Sequence, residues 1–163
     1  MERLWAPWRM QYVGTDKPEG CIFCDKPLQG DDRAAYIVHR GTHAFVLLNT
    51  FPYNNGHLMI APYAHLACLE DLPAEAAHEV MELAQLSARA LKAAFDPNGL
   101  NAGFNLGAAA GAGIADHLHM HMVPRWSGDT NFMPVLTDVR VIPQSLDDSY
   151  RVLSEAFAEL TQG

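Results

Sequence analysis

The chain has 163 residues, 49% of them hydrophobic, and a formal charge of −8 with neutral histidines. A chain this short suits one domain around one main core, and its acidic balance argues against nucleic acid as a partner, which would need a basic face. No apolar run is long enough for a membrane span, the first residues hold no signal-peptide core, and three cysteines make no disulfide framework, so we expect a cytoplasmic protein with no membrane partner.

Residues 1–20 read as an extended arm that packs through Trp5, Trp8 and Tyr12. Cys21-Ile22-Phe23-Cys24 follows, two thiols at metal-ligand spacing that would need two further donors for a structural cation. Cys68 reads as a small packing residue. The period-two patterns at Tyr36–His39 and His43–Leu48 predict two strands joined by a tight turn at Arg40-Gly41. Pro52-Tyr53-Asn54-Asn55-Gly56 is a turn cluster ending in Asn-Gly, and His57–Ala61 is a third strand stopped by Pro62. Ala74 to Phe95 carries a helical period through Val80, Leu83, Leu86, Leu91 and Ala94, and Asp96-Pro97-Asn98-Gly99 ends it. Asn101–Leu106 predicts a fourth strand, and Gly107 to Gly113 a loop of small residues.

The next segment is the most informative. His117, His119 and His121 alternate with Leu118, Met120 and Met122. Side chains of a strand alternate between faces, so Leu118 to Pro124 predicts a strand with one apolar face and one row of imidazoles about 7 Å apart. Such a row against a core costs desolvation unless it is used. Trp126 to Pro143 is long and irregular, with an apolar run at 139–142. A final helix covers about 146–160. With no repeat and no linker, residues 1–163 read as a single α+β domain. His39, His43 and His78 read as surface residues.

The run His117 to Met122 resembles the histidine triad signature, three histidines separated by apolar residues. With the aromatic arm, Asn54-Asn55-Gly56-His57 and Asp116 to Phe132, the chain is most similar to the diadenosine tetraphosphate phosphorylase-like and fragile-histidine-triad branches of that family. The resemblance implies a twisted antiparallel sheet of about five strands, a main helix and a C-terminal helix packed on it, and a homodimer. It implies cleavage of dinucleoside polyphosphates at an α-phosphate through a nucleotidyl-histidine, resolved by water or phosphate. Two alternatives are a nucleoside phosphoramidate hydrolase and a purine-nucleotide-binding regulator without catalysis.

By the same resemblance His119 is the nucleophile, with His121 and His57 at the phosphates. Asn49 would bind ribose and Asn105 phosphate. Relatives carry Gln and Ser or Thr before the triad; here Gly111-Ala112-Gly113-Ile114 stands instead, so backbone N–H groups at Gly111 and Gly113 would hold phosphate. Arg125 suits either distal phosphates or a surface ion pair, and Trp126 either a base or the dimer contact. Zinc-containing relatives add to the cysteine pair the positions held here by His65 and His117, so Zn²⁺ on Cys21, Cys24, His65 and His117 is expected. No organic cofactor is expected.

Overall fold

The computed structural model describes residues 20–129 and 144–162. The predicted arm, apart from Gly20, and the 139–142 run lie outside them. Two short helices come first, α1 at Ile22–Leu28 and α2 at Asp32–Ala35. The strands are β1 Ile37–Arg40, β2 Ala44–Leu48, β3 Leu58–Pro62, β4 Gly99–Phe104 and β5 Met120–Arg125. Between β3 and β4 runs the long helix α3, Ala74–Phe95, and α4 is Leu146–Thr161. The five strands form one antiparallel sheet in the order β1-β2-β3-β5-β4, giving the expected α+β architecture. No helix among the described residues is long and apolar enough to cross a membrane.

Both faces of this sheet are covered, which explains why β2 and β3 are buried at every position. On one face Val46, Leu48, Leu58, Ile60, Met120 and Met122 pack with the apolar stripe of α3 and with Leu153 and Phe157 of α4. The α3 stripe, Ala76, Val80, Leu83, Ser87 and Leu91, repeats at three- and four-residue steps, so one side of the helix turns to the sheet. Asp96 in the left-handed region ends the helix, and Pro97 cannot continue it. On the other face Phe45, Leu47, Met59 and Ala61 pack with Phe23 and Ile37. Burying a phenylalanine side chain such as Phe23 stabilises by about 1.5–3 kcal/mol, and here it anchors α1 to the sheet.

Several boundaries differ from the sequence reading. Tyr36 is not in a strand; it caps α2 at φ 57. β4 begins two residues early because Gly99 and Leu100 pair with Arg125 and Pro124. The histidine strand starts at Met120 and runs to Arg125, leaving His117 and His119 ahead of it. There the Leu118 N–H leaves the ladder and donates to the Leu66 carbonyl at 2.7 Å. His39 is not a plain surface residue: its ring stacks on Phe157 at 5.6 Å, and burial lowers its pKa.

Candidate functional site

The cysteine pair meets two histidines beside the Phe23 face. Cys21 precedes α1 and its carbonyl accepts the Cys24 and Asp25 N–H groups at 2.9 Å, so both thiols stand on one side of a helical turn. His65 comes from the segment after β3 and His117 from the approach to β5. The four donor atoms lie within 4.8 Å of one another. His117 Nδ1 is 3.3 Å from Cys21 Sγ, 3.6 Å from Cys24 Sγ and 3.3 Å from His65 Nδ1, and Cys24 Sγ is 3.3 Å from His65 Nδ1. A tetrahedral cation with sulfur near 2.3 Å and nitrogen near 2.05 Å spaces S and N donors about 3.6 Å apart and two N donors about 3.3 Å apart. The four side chains therefore fit one small four-coordinate cation.

The ligand tautomer is fixed from behind. His117 Nε2–H donates to the Pro62 carbonyl at 2.8 Å, which leaves the Nδ1 lone pair facing the thiols. Burial, above all, lowers the His117 pKa and keeps this ring neutral. With no cation, burial first, and then Cys21 and the Asp25 charge, push the Cys24 thiol up to about 11. Cys68 is exposed and stands outside the cluster.

The remaining histidines form a chain of hydrogen bonds whose protons can be assigned. His57 is fully buried, and its Nδ1 accepts the Tyr53 backbone N–H at 3.0 Å, with the Asn49 amide at 3.4 Å. A backbone N–H can only donate, so the His57 proton sits on Nε2. That Nε2–H donates to His121 Nδ1 at 2.9 Å, so His121 carries its own proton on Nε2. His119 Nδ1–H donates to the His117 carbonyl at 2.8 Å, leaving an Nε2 lone pair. The 119 and 121 rings meet edge to face at 4.8 Å, far closer than the backbone spacing. One ring thus offers a lone pair beside another that offers an N–H. Burial pushes both pKa values down, that of His121 to about 4 with help from the His119 charge, so both are neutral at pH 7.

Local sequence explains the placement. Gly56 has φ +70, and a Cβ there would stand 2.5 Å from Phe95 Cε2, so only glycine lets the turn deliver His57 against the end of α3. Asn54 ties the same turn to the end of β5, donating to the Pro124 carbonyl at 3.0 Å and to Asp129 at 2.9 Å. Asn49 is committed within the site: its Oδ1 accepts the Phe51 N–H at 2.9 Å. Asn105 follows Phe104, the last residue of β4, just beyond the Phe104–Met120 pair that ends the register with β5. The Gly111 N–H is spent on the Ala108 carbonyl inside its own turn, and Gly113 lies two residues further along that loop. Arg125 stands four residues beyond His121, paired with Asp129 at 2.6 and 2.9 Å and with Asn101 at 2.8 Å. Trp126 is half-buried in the following turn, where its carbonyl accepts the Asp129 N–H.

Sequence reasoning did not single out Tyr53, Asn54 or Phe23. Tyr53 acts through a backbone donor that every non-proline residue owns, while its ring lies against His57 at 4.6 Å and His121 at 5.8 Å. Phe23 was signalled only by its place between the two cysteines. A cavity of about 250 Å³ is lined by His57 together with Leu48, Asn55, Leu146 and Ser149.

The family model described as HIT domain matches residues 32–128. AP-4-A phosphorylase of Mycobacterium tuberculosis is 39% identical over 97% of this chain and 85% of its own length. A zinc-bound histidine triad family protein from Mycobacterium smegmatis superposes with a TM-score of 0.70 at 26% identity, covering 88% of this chain and 96% of that one. A hypothetical histidine triad nucleotide-binding protein of Sulfolobus tokodaii shares the fold at a TM-score of 0.68, with 23% identity over 86% of this chain and 94% of its own.

Proposed function

This chain belongs to the HIT domain family, and from that premise we propose that it is a nucleotidyl-transferring enzyme that cleaves dinucleoside polyphosphates of the diadenosine tetraphosphate type by phosphorolysis. The observation that carries the reading is the pair of opposite tautomers: a His119 Nε2 lone pair beside a His121 Nε2–H. Identity of 39% to AP-4-A phosphorylase along nearly the whole chain supports the substrate class and favours phosphate as the acceptor.

In the first step His119 Nε2 attacks an α-phosphorus. A P–N bond forms as the bond to the leaving nucleotide's oxygen breaks, and that oxygen takes the electron pair. The proton on His119 Nδ1 stays in place, and the His117 carbonyl that accepts it stabilises the positive charge developing on the ring. His121 Nε2–H supplies a donor to the phosphate oxygens, with His57 behind it holding the tautomer. In the second step an oxygen of inorganic phosphate attacks the same phosphorus and the imidazole leaves with its electron pair, restoring neutral His119. Diadenosine tetraphosphate and phosphate then give ATP and ADP. Asn105 and the loop at Gly113 are assigned to the phosphates, Asn49 to the ribose and Trp126 to the base; Gly111, whose N–H is held by the Ala108 carbonyl, is not a phosphate donor. Arg125, already shared by Asp129 and Asn101, is assigned to holding its own turn.

Zinc is the cation we assign to Cys21, Cys24, His65 and His117; when bound it cross-links three segments and supplies no chemistry to the substrate. The crystal structure of the Mycobacterium smegmatis protein supports that choice. We further propose a homodimer through the edge strand β4, whose outer side pairs with no other strand among the described residues. Sedimentation equilibrium tests this, a purely monomeric species being the contrary result.

Product analysis tests the reaction. Diadenosine tetraphosphate should give ATP and ADP only when phosphate is added. AMP and ATP in phosphate-free buffer would make the enzyme a hydrolase, and no cleavage of any dinucleotide would remove the reading.

A further inference from the structure

Phe23 stands between Cys21 and Cys24 and is completely buried. Its ring lies against two imidazoles at once: His117 at 5.2 Å and 49°, and His119 at 4.7 Å and 33°. One of these is a ligand of the four-donor cluster and the other is the proposed nucleophile. The His119 ring has two further fixed contacts among the described residues, the hydrogen bond to the His117 carbonyl and the edge of His121. Two of its three supports therefore run back to the cluster, and Phe23 is the one that covers its flank. The neighbouring Phe45 belongs to the same apolar cluster but stacks on Tyr63. Core filling alone does not require an aromatic face at position 23 rather than a branched aliphatic.

We infer that Phe23 is a positioning residue that transmits the closure of the Cys21–Cys24–His65–His117 cluster to the orientation of the His119 ring. The inference rests on His119 being the nucleophile and adds that the cation-binding turn sets its aim. A cation held by both thiols fixes the ends of the turn that carries Phe23, and Phe23 in turn holds His119 with its Nδ1–H on the His117 carbonyl. A loose ring would sample the other tautomer and lose the aligned lone pair, and a misplacement of about 1 Å is enough to cost about 100-fold in rate.

Zinc-loaded wild type, F23L and F45L, labelled with ¹⁵N in histidine, are compared by imidazole NMR at one neutral pH, with metal content and melting measured on the same samples. F23M, with a flexible side chain that fills the same space, is the second variant should F23L not fold. The wild type should show His119 as the single Nδ1–H tautomer. F23L should keep its zinc yet show a mixture of tautomers at His119, while F45L shows the wild-type signals. With diadenosine tetraphosphate, F23L should lose kcat by about 10–100-fold with KM changed less than about twofold. Wild-type His119 signals in F23L, loss of its zinc, or an equal disturbance in F45L would each overturn the inference. A wild type that cleaves no dinucleotide would remove the functional reading, and the NMR comparison would still decide the role of Phe23.

Discussion

The proposed attack on phosphorus needs an unprotonated histidine nitrogen, and backbone groups hold the tautomers on which that proposal rests. The His117 carbonyl takes the His119 Nδ1–H, and the Tyr53 N–H sets the tautomer of His57, hence that of His121. H119G should therefore keep nucleotide binding, read by calorimetry with AMP, and lose turnover by about 10⁴-fold or more. His121 gives a second residue-scale expectation. Burial holds its folded pKa at about 4, below the ordinary value near 6.5. The folded state thus binds fewer protons than the unfolded chain, and its contribution to stability shrinks as pH falls from about 6.5 toward 4. Melting temperature should drop across that window, and H121N should flatten the slope; an unchanged slope would contradict the assignment. The four-donor cluster was legible because side-chain identity marks it: Cys21, Cys24, His65 and His117 meet as the sequence reading expected. The site was not legible where the work is done by a main-chain donor such as Tyr53, and of the two roles open to Arg125 the structure displays the ion pair, with Asp129.

At the scale of elements, α3 supports the sheet by more than its apolar stripe. The Glu79 carboxylate accepts the N–H groups of Thr42, His43 and Ala44 at 2.8, 2.5 and 2.7 Å, closing the β1–β2 turn. Burial alone would raise its pKa; the three N–H bonds and the nearby His43 outweigh that and lower it. A lowered carboxyl stabilises the fold above its unfolded pKa near 4.3 and loses that contribution as pH falls through its folded value. E79Q should cost about 1–2 kcal/mol in urea unfolding at pH 7, allowing for partial exposure, and less below pH 4. The span of α3 was readable because a long amphipathic period is bounded by Pro73 and by Asp96-Pro97. The helices α1 and α2 were not, since seven and four residues are too few to show a period. Their signals are local: the Cys21 carbonyl and the Asp31 side chain that accepts the Ala34 N–H. The histidine strand started late for a related reason, because Leu118 finds its partner at Leu66, outside the sheet.

At the scale of the described molecule, the sheet separates a helix-covered face from the face that carries the candidate site. Helices α3 and α4 cover the first, and the second carries Phe23, the four-donor cluster and the histidine chain. If the cluster holds zinc, stability is linked to free metal. The melting temperature of the wild type should rise with zinc concentration, while that of C24S should not and C68S should behave as the wild type; a flat wild-type curve would contradict zinc binding. The most direct test of the central claim is a mass measurement on the intact chain. The protein is mixed with diadenosine tetraphosphate in phosphate-free buffer and quenched on the timescale of one turnover under denaturing, non-acidic conditions. The account predicts a chain heavier by one adenylate, mapped to His119 and discharged as ADP when phosphate is added. Turnover with no adduct at any time, or an adduct on another residue, would contradict it.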